Sequence, residues 1–265
     1  MIKRSDKMLQ FLATNDSLDE EDLELVWKCQ EGKHEEAVRI VYEAITAVAG
    51  YLTVDQIQYL FSKIKQIPSK DYSELTINFI KDFTESAFRA SNSMKFNTDD
   101  DLLMEDKKPA VNTDFLENIK ETVEADSYEF EESAAFGLPM LWKLMQKNGP
   151  LAKIAFESIK EIFKYPHSED FKSHYIILCL RNIYRDEACP QSIDLLNNIL
   201  EETFIPQRND TGAAMSEVVY SLQEKLDLIG NTINGIGNYL SFVKEELVQQ
   251  AMRDEVNEDN STHVF

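Results

Sequence analysis

The sequence predicts an all-α fold, an armadillo/HEAT-like α-solenoid of helical hairpins. Apolar residues recur at helical spacing in successive segments of about 12 to 20 residues, the usual length of helices in globular proteins. Glycine or proline separates the segments, and no alternating pattern with hairpin turns indicates a strand. Segment 171–184 is apolar nearly all round its helical wheel, so we expect helices to cover it on several sides, as in stacked hairpins.

Composition and charge limit the classes of function. The 265 residues are 43% hydrophobic, enough to bury a core in one large or two small domains. A net charge of −21 would repel a phosphate backbone, so nucleic acid is not an expected partner. The 3 cysteines are widely spaced, which is typical of reduced thiols and predicts a cytoplasmic protein. Apolar runs such as 175–180 are far too short to cross a membrane.

The first helix is predicted over 18–31. Ser17 and Glu20 have the spacing of a capping box at its start. We expect Cys29 to share the apolar face of this helix and to point into the core. The other members of that face are Leu18, Leu23, Leu25, Val26 and Trp27.

Three further helices are predicted before residue 91. Gly32 ends the first helix, and a second apolar arc follows it as far as Gly50. A second capping box, Thr53 to Gln56, opens a helix that stops near Pro68. A fourth helix covers 71–90, with its phenylalanines in apolar positions.

The chain divides into four predicted regions. Helical hairpins occupy 1–91, and 92–132 is expected to be an acidic, largely disordered linker with a short helix at 114–124. A second helical array covers 133–253, and 254–265 reads as a disordered acidic tail.

Proline and glycine mark the helices of the second array. We expect helices to start at Pro139, Pro150 and Pro190, since proline is tolerated in the first turn. The last helical region, 214–252, contains three glycines, and we expect it to break or kink at them. These are Gly230, Gly235 and Gly237.

Cys29 and His34 are close enough in sequence to raise the question of a cysteine nucleophile. A catalytic thiol is exposed and has a lowered pKa, whereas Cys29 is expected to be buried at the end of a helix, where the dipole disfavours a thiolate. We interpret Cys29 as structural and His34 as a residue that packs in the helical corner and caps open carbonyls. A small cysteine hydrolase that uses both residues is the alternative.

No other pattern predicts chemistry. The histidines and cysteines are scattered singly, so neither a metal site nor a cofactor is expected, although His167 and His174 have the spacing of one helical face. The glycines of 230–240 lack a Walker lysine and a preceding strand. Cys189 stands at a helix start, which would lower the pKa of its thiol. No catalytic residue is assigned.

The segment "LDEEDLELVWKCQEGKHEE" resembles part of the large fat-facets-type ubiquitin carboxyl-terminal hydrolases. The resemblance continues in pieces to residue 205, through "GLPMLWKLMQ" and "IAFESIKEIF". The positions that carry it form a structural corner motif: Leu18, Asp22, Leu23, Trp27, Gln30, Gly32, Lys33, His34 and Glu35.

The resemblance implies the non-catalytic, armadillo-like region that lies N-terminal to the protease domain in that family. The family's cysteine and histidine boxes are absent from the sequence, so the resemblance implies a scaffold that binds proteins, including partners in the ubiquitin pathway, without catalysis of its own. A helical adaptor unrelated to ubiquitin would share the same fold.

Overall fold

The computed structural model describes residues 5–15, 17–95, 117–125, 136–147, 149–165, 167, 169–204 and 211–261. Within these ranges the regular elements are helical and there is no strand, so the fold is all-α and armadillo-like, as predicted. The helices are α1 (Ser5–Thr14), α2 (Glu20–Lys28), α3 (Glu35–Val48), α4 (Val54–Gln66), α5 (Glu74–Lys95), α6 (Ile119–Glu124), α7 (Leu138–Met145), α8 (Pro150–Phe163), α9 (Glu169–Tyr184), α10 (Cys189–Phe204), α11 (Thr211–Leu226) and α12 (Leu228–Ser261).

Local signals set several helix starts as predicted. The Gln56 N–H donates to Thr53 Oγ1 at 3.3 Å, and the Thr53 N–H donates to Gln56 Oε1 at 3.0 Å, which completes the capping box of α4. Pro139 and Pro150 lie in the first turns of α7 and α8. Among the described helices, none is both long and apolar enough to cross a membrane.

The start of α2 differs from the prediction. Its N-cap is Asp19, whose carboxylate accepts a hydrogen bond from the Asp22 N–H at 2.8 Å, so Ser17 does not cap the helix. Asp19 has extended backbone angles and directly precedes the first turn, which makes it the better placed acceptor. The helix α1 was not predicted as a separate element.

We predicted a break or a kink at the glycines of the last helical region, and the break does not occur. α12 runs without interruption through Gly230, Gly235 and Gly237. The chain instead breaks at Asp227, where φ is +46° and α11 gives way to α12. The helix then continues to Ser261, into the segment 254–265 that we expected to be a disordered tail.

The helices form two compact units. Helices α1–α5 with α7 and α8 make the first unit, and α6 with α9–α12 makes the second. This grouping differs from the predicted ranges 1–91 and 133–253, because α7 and α8 pack with α5 while α6 packs on α9. The predicted linker 92–132 lies mostly outside the described residues. Within it, α6 falls in the predicted helix 114–124.

Aromatic side chains fill the core of the first unit. The ring of Phe83 lies 4.9 Å from that of Phe61 and 5.7 Å from that of Phe79, measured between centroids. Phe136, just before α7, lies 6.0 Å from Phe61. The Gly137 N–H donates to the hydroxyl of the buried Thr84 at 3.2 Å, which joins α7 to α5.

The second unit is built round α9. Its buried side chains cover most of its circumference, as predicted for 171–184: Phe171, His174, Tyr175, Ile176, Ile177, Cys179, Leu180, Arg181, Asn182 and Ile183. Ile119 and Val123 of α6 are fully buried, and Arg181 Nη1 donates to the Thr122 carbonyl at 2.6 Å. These contacts join α6 to α9, which lie about 45 to 65 residues apart in the sequence. The entropic cost of closing such a loop grows only slowly with its length.

Candidate functional site

The corner between α2 and α3 begins as a short acidic helix. Glu20, Glu21 and Asp22 occupy the first turn of α2, where negative charge suits the positive end of the helix dipole. After Lys28 the chain continues in tight turns, with the Gln30 N–H donating to the Trp27 carbonyl at 3.3 Å. Gly32 then takes a φ of +63°, a left-handed conformation that side chains disfavour and that turns the chain toward α3.

Three apolar residues of the motif anchor the corner in the core. Leu18, Leu23 and Trp27 are all buried. The ring of Trp27 lies 6.2 Å from that of Tyr42 on α3 and 6.4 Å from that of Phe79 on α5. One indole therefore fixes α2 against two other helices.

A groove of about 640 Å³ opens beside this anchor, and we call it the corner groove. Trp27, Gln30, Gly32, Lys33 and Glu35 of the motif all line it. The remaining wall comes from α3, the end of α4 and the start of α5: Glu31, Val38, Tyr42, Lys63, Gln66, Ile67, Asp71, Ser73, Leu75 and Thr76. The lining therefore combines aromatic and aliphatic side chains with charges of both signs.

A charged cluster stands at one side of the groove. Glu24 binds Lys63 Nζ at 2.5 Å and Lys28 Nζ at 3.3 Å, and the Tyr59 hydroxyl donates to it at 2.5 Å. The hydrogen bond from Lys63 contributes most to lowering the pKa of Glu24 to about 2, and Tyr59 adds to it. The same contact raises the pKa of Lys63. Lys63 is therefore a positive charge held at the groove wall.

Cys29 and His34 do not lie where we predicted. Cys29 is exposed and His34 is also exposed, with no side-chain cap hydrogen bond. The prediction for Cys29 failed because the buried face of α2 is narrower than predicted: it centres on Leu23 and Trp27, and Cys29 lies on the opposite side of the helical wheel. Leu25, assigned to the same face, is 63% exposed. The Cys29 thiol donates to the Leu25 carbonyl at 3.2 Å, which is a local helix-end contact.

The other two cysteines are buried. Burial raises the pKa of the Cys179 thiol. Burial and the nearby Asp186 carboxylate also raise the pKa of Cys189, so the predicted lowering by the helix N-terminus is wrong. Neither thiol has the exposed, electropositive surroundings of a nucleophile.

The two spaced histidines fall in different compact units. The His167 ring stands edge-on to Phe88, with Nε2 3.0 Å from the Ile162 carbonyl. His174 is buried on α9, and burial lowers its pKa to about 4. In the part of the chain that the structure describes, no cluster of three or more His, Cys, Asp or Glu side chains is placed to hold a metal ion.

Residues 1–86 match the family model described as the UBP24/USP9X/USP9Y ARM repeat. The predicted resemblance is confirmed. We call residues 1–86 the ARM segment; its residues line the whole corner groove. The predicted likeness between residues 87 and 205 stays a prediction.

One curated relative is the probable ubiquitin carboxyl-terminal hydrolase FAF of Drosophila melanogaster. It is 33% identical over 60 residues, which are 23% of this chain and 2% of that protein. No solved structure matches the chain. The similarity thus concerns a small part of a much longer hydrolase.

Proposed function

We propose that the chain is a non-catalytic α-solenoid module that binds proteins in the cytoplasm and is linked to protein deubiquitination. Two observations support the proposal. The ARM segment matches a repeat named for ubiquitin-specific proteases, and the motif that carries this resemblance lines a groove. ARM repeats present extended surfaces to their partners, as solenoids do in general.

The composition of the corner groove carries the argument. Trp27 and Tyr42 are buried in its floor, whereas Lys33 and Glu35 are exposed at its rim. An apolar centre within a polar rim is the arrangement of protein interfaces. Lys33 and Glu35 carry opposite charges, so a bound segment is expected to present an acidic and a basic side chain in return.

Site-specific photocrosslinking tests this assignment. A photoreactive residue in place of Lys33 is expected to capture a defined protein from cell extract, and unlabelled chain should compete. The matched control places it at Lys153, an exposed lysine on α8 of the same unit. Capture of the same proteins at both positions would contradict binding in the groove. A captured protein without a connection to ubiquitin would favour the unrelated adaptor.

The exposure of Cys29 keeps the cysteine hydrolase with Cys29 and His34 as a second candidate. A ubiquitin-based electrophilic probe separates the two. We expect no covalent adduct with the purified chain under reducing conditions, because a deubiquitinase needs an oriented histidine and an oxyanion donor beside the thiolate. A stoichiometric adduct that Cys29→Ala abolishes would refute the non-catalytic proposal.

A further inference from the structure

The outer face of α12 carries an apolar stripe that the other described residues leave largely open to solvent. Its members are Ile229, Ile233, Ile236, Leu240, Val243 and Leu247, which we call the α12 stripe. Four of them, Ile229, Ile233, Leu240 and Leu247, are 60–64% exposed, Ile236 is 40% exposed, and Val243 is half-buried. Scattered apolar residues on a surface are ordinary, but a continuous row on one helix marks a site of contact.

The spacing of the stripe is that of a coiled coil. Its members alternate four and three residues apart, so they repeat every 3.5 residues and stay within about 80° of arc on a helix. The opposite side of α12 is the one that packs on its own unit. There Gly235 lies against the Cys189 side chain and Asn238 Nδ2 donates to Asp186 Oδ2 at 2.8 Å. α12 therefore turns a row of apolar residues toward solvent, whereas an ordinary surface helix turns its apolar face toward the core.

Charge indicates what covers the stripe. From Leu228 to Val243 the sequence has no charged side chain, in a protein whose net charge is −21. A strongly acidic chain can approach an identical chain only where like charges do not face one another. This uncharged length of α12 meets that condition. A basic partner would instead be drawn to the acidic surface elsewhere.

We propose that the α12 stripe pairs with the same stripe of a second copy of this chain, as a two-helix coiled coil. Such a contact is isologous, because each copy supplies the same residues. Burial of an aliphatic side chain removes on the order of 100 Å² from water, so the stripe offers on the order of 500 Å² per copy. Tyr239 and Val248, which are 39% and 45% exposed, extend the surface at its edges. An area below the roughly 800 Å² per partner of standard interfaces fits a dimer of moderate affinity.

The mass of the full chain in solution tests this pairing. Light scattering after gel filtration is expected to change from 30.6 kDa toward twice that value as the concentration rises. A range of about 1 to 100 µM covers dimers of moderate affinity. Ile233→Lys and Ile236→Lys should each raise the dimer dissociation constant by about 30-fold or more, since central interface residues dominate binding.

A matched control separates the stripe from general surface charge. Leu25 on α2 is 63% exposed, as Ile233 is 64% exposed, and Leu25→Lys introduces the same charge. That variant should dimerise like the unchanged protein. Circular dichroism should show all three variants equally helical, because the replaced side chains are 40–64% exposed in the monomer.

Two results would overturn the pairing. One is a mass of 30.6 kDa at every concentration. The other is a dimer that both stripe variants retain. A chain that stays monomeric and binds a different protein would also overturn the pairing. The α12 stripe lies outside the ARM segment, so neither result bears on the corner groove.

Discussion

The rings of Tyr42 and Phe79 stack almost in parallel, with centroids 4.0 Å apart and planes 9° from each other. This pair joins α3 to α5, and Trp27 reaches both rings from α2. Three helices of the ARM segment are thus held through one aromatic cluster. Trp27 and Tyr42 of this cluster also line the corner groove, so the same packing fixes part of its wall.

Replacement of Trp27 by alanine should strongly destabilise the protein. We expect Trp27→Ala to lower the free energy of unfolding by about 3 to 5 kcal/mol, because a large buried aromatic side chain leaves a cavity. Urea denaturation measures the change. Leu25→Ala on the same helix is the control and should cost less than about 0.5 kcal/mol, as exposed positions do. A loss for Trp27→Ala below about 1 kcal/mol would contradict the packing.

The three thiols should react at very different rates. Only Cys29 is exposed, so native protein should react rapidly with a thiol reagent at one position and slowly at Cys179 and Cys189. Colorimetric labelling with and without denaturant measures this. Cys29→Ala should remove the rapid phase. A rapid phase that survives this change would mean that a buried thiol is accessible. Rapid labelling alone does not indicate catalysis, because exposure explains it.

Acidification should weaken the second unit through His174. Burial lowers the folded-state pKa from 6.5 to about 4, so the unfolded chain binds more protons between these values. The free energy of unfolding therefore keeps its full value above about pH 6.5 and decreases as the pH falls toward 4. At pH 5 the decrease should be about 1 to 2 kcal/mol. Urea titrations of the protein and of His174→Gln should converge with falling pH. His34→Gln, at an exposed position, is the control and should keep the full pH dependence. If the free energy of unfolding changed equally with pH in all three proteins, His174 would not be the cause.

Two glycines of α12 should respond to alanine in opposite directions. A Cβ at Gly235 would collide with Cys189 Sγ and lie 3.0 Å from Cys189 Cβ, whereas one at Gly237 meets nothing within 4 Å. Gly235→Ala should destabilise by about 1 to 3 kcal/mol through overpacking. Gly237→Ala should stabilise by about 0.5 to 1 kcal/mol, the ordinary gain in a helix interior. Thermal unfolding of both variants tests this; equal shifts would mean that α12 does not approach Cys189.

Structural features that depend on residues three or four positions apart were predicted correctly from the sequence. The capping box of Thr53 and Gln56 was correct because both partners lie within one helical turn. The apolar residues of α4 recur three and four apart, and all of them are buried: Ile57, Leu60, Phe61 and Ile64. Proline placed the starts of α7 and α8 because it tolerates the first turn and little else.

Errors arose where a boundary moved or a distant contact decided the outcome. Cys29 is exposed because the buried face of α2 is the narrow one of Leu23 and Trp27, and the predicted apolar face was too wide. The close packing at Gly235 involves Cys189, which lies in another helix, so the sequence of α12 alone could not indicate it. The corner groove was not predicted, because Lys63, Asp71 and Thr76 join the motif only after α4 and α5 have packed. The corner motif was the only feature of the sequence that indicated this part of the molecule.

The two compact units are interleaved along the backbone. The chain leaves the first unit after α5, contributes α6 to the second, returns for α7 and α8, and leaves again for α9. Consequently no single cut of the backbone yields the two units as separate pieces, since one of the pieces would always carry helices of both. The match to the family model ends at residue 86, within α5, so its end does not coincide with the end of a compact unit.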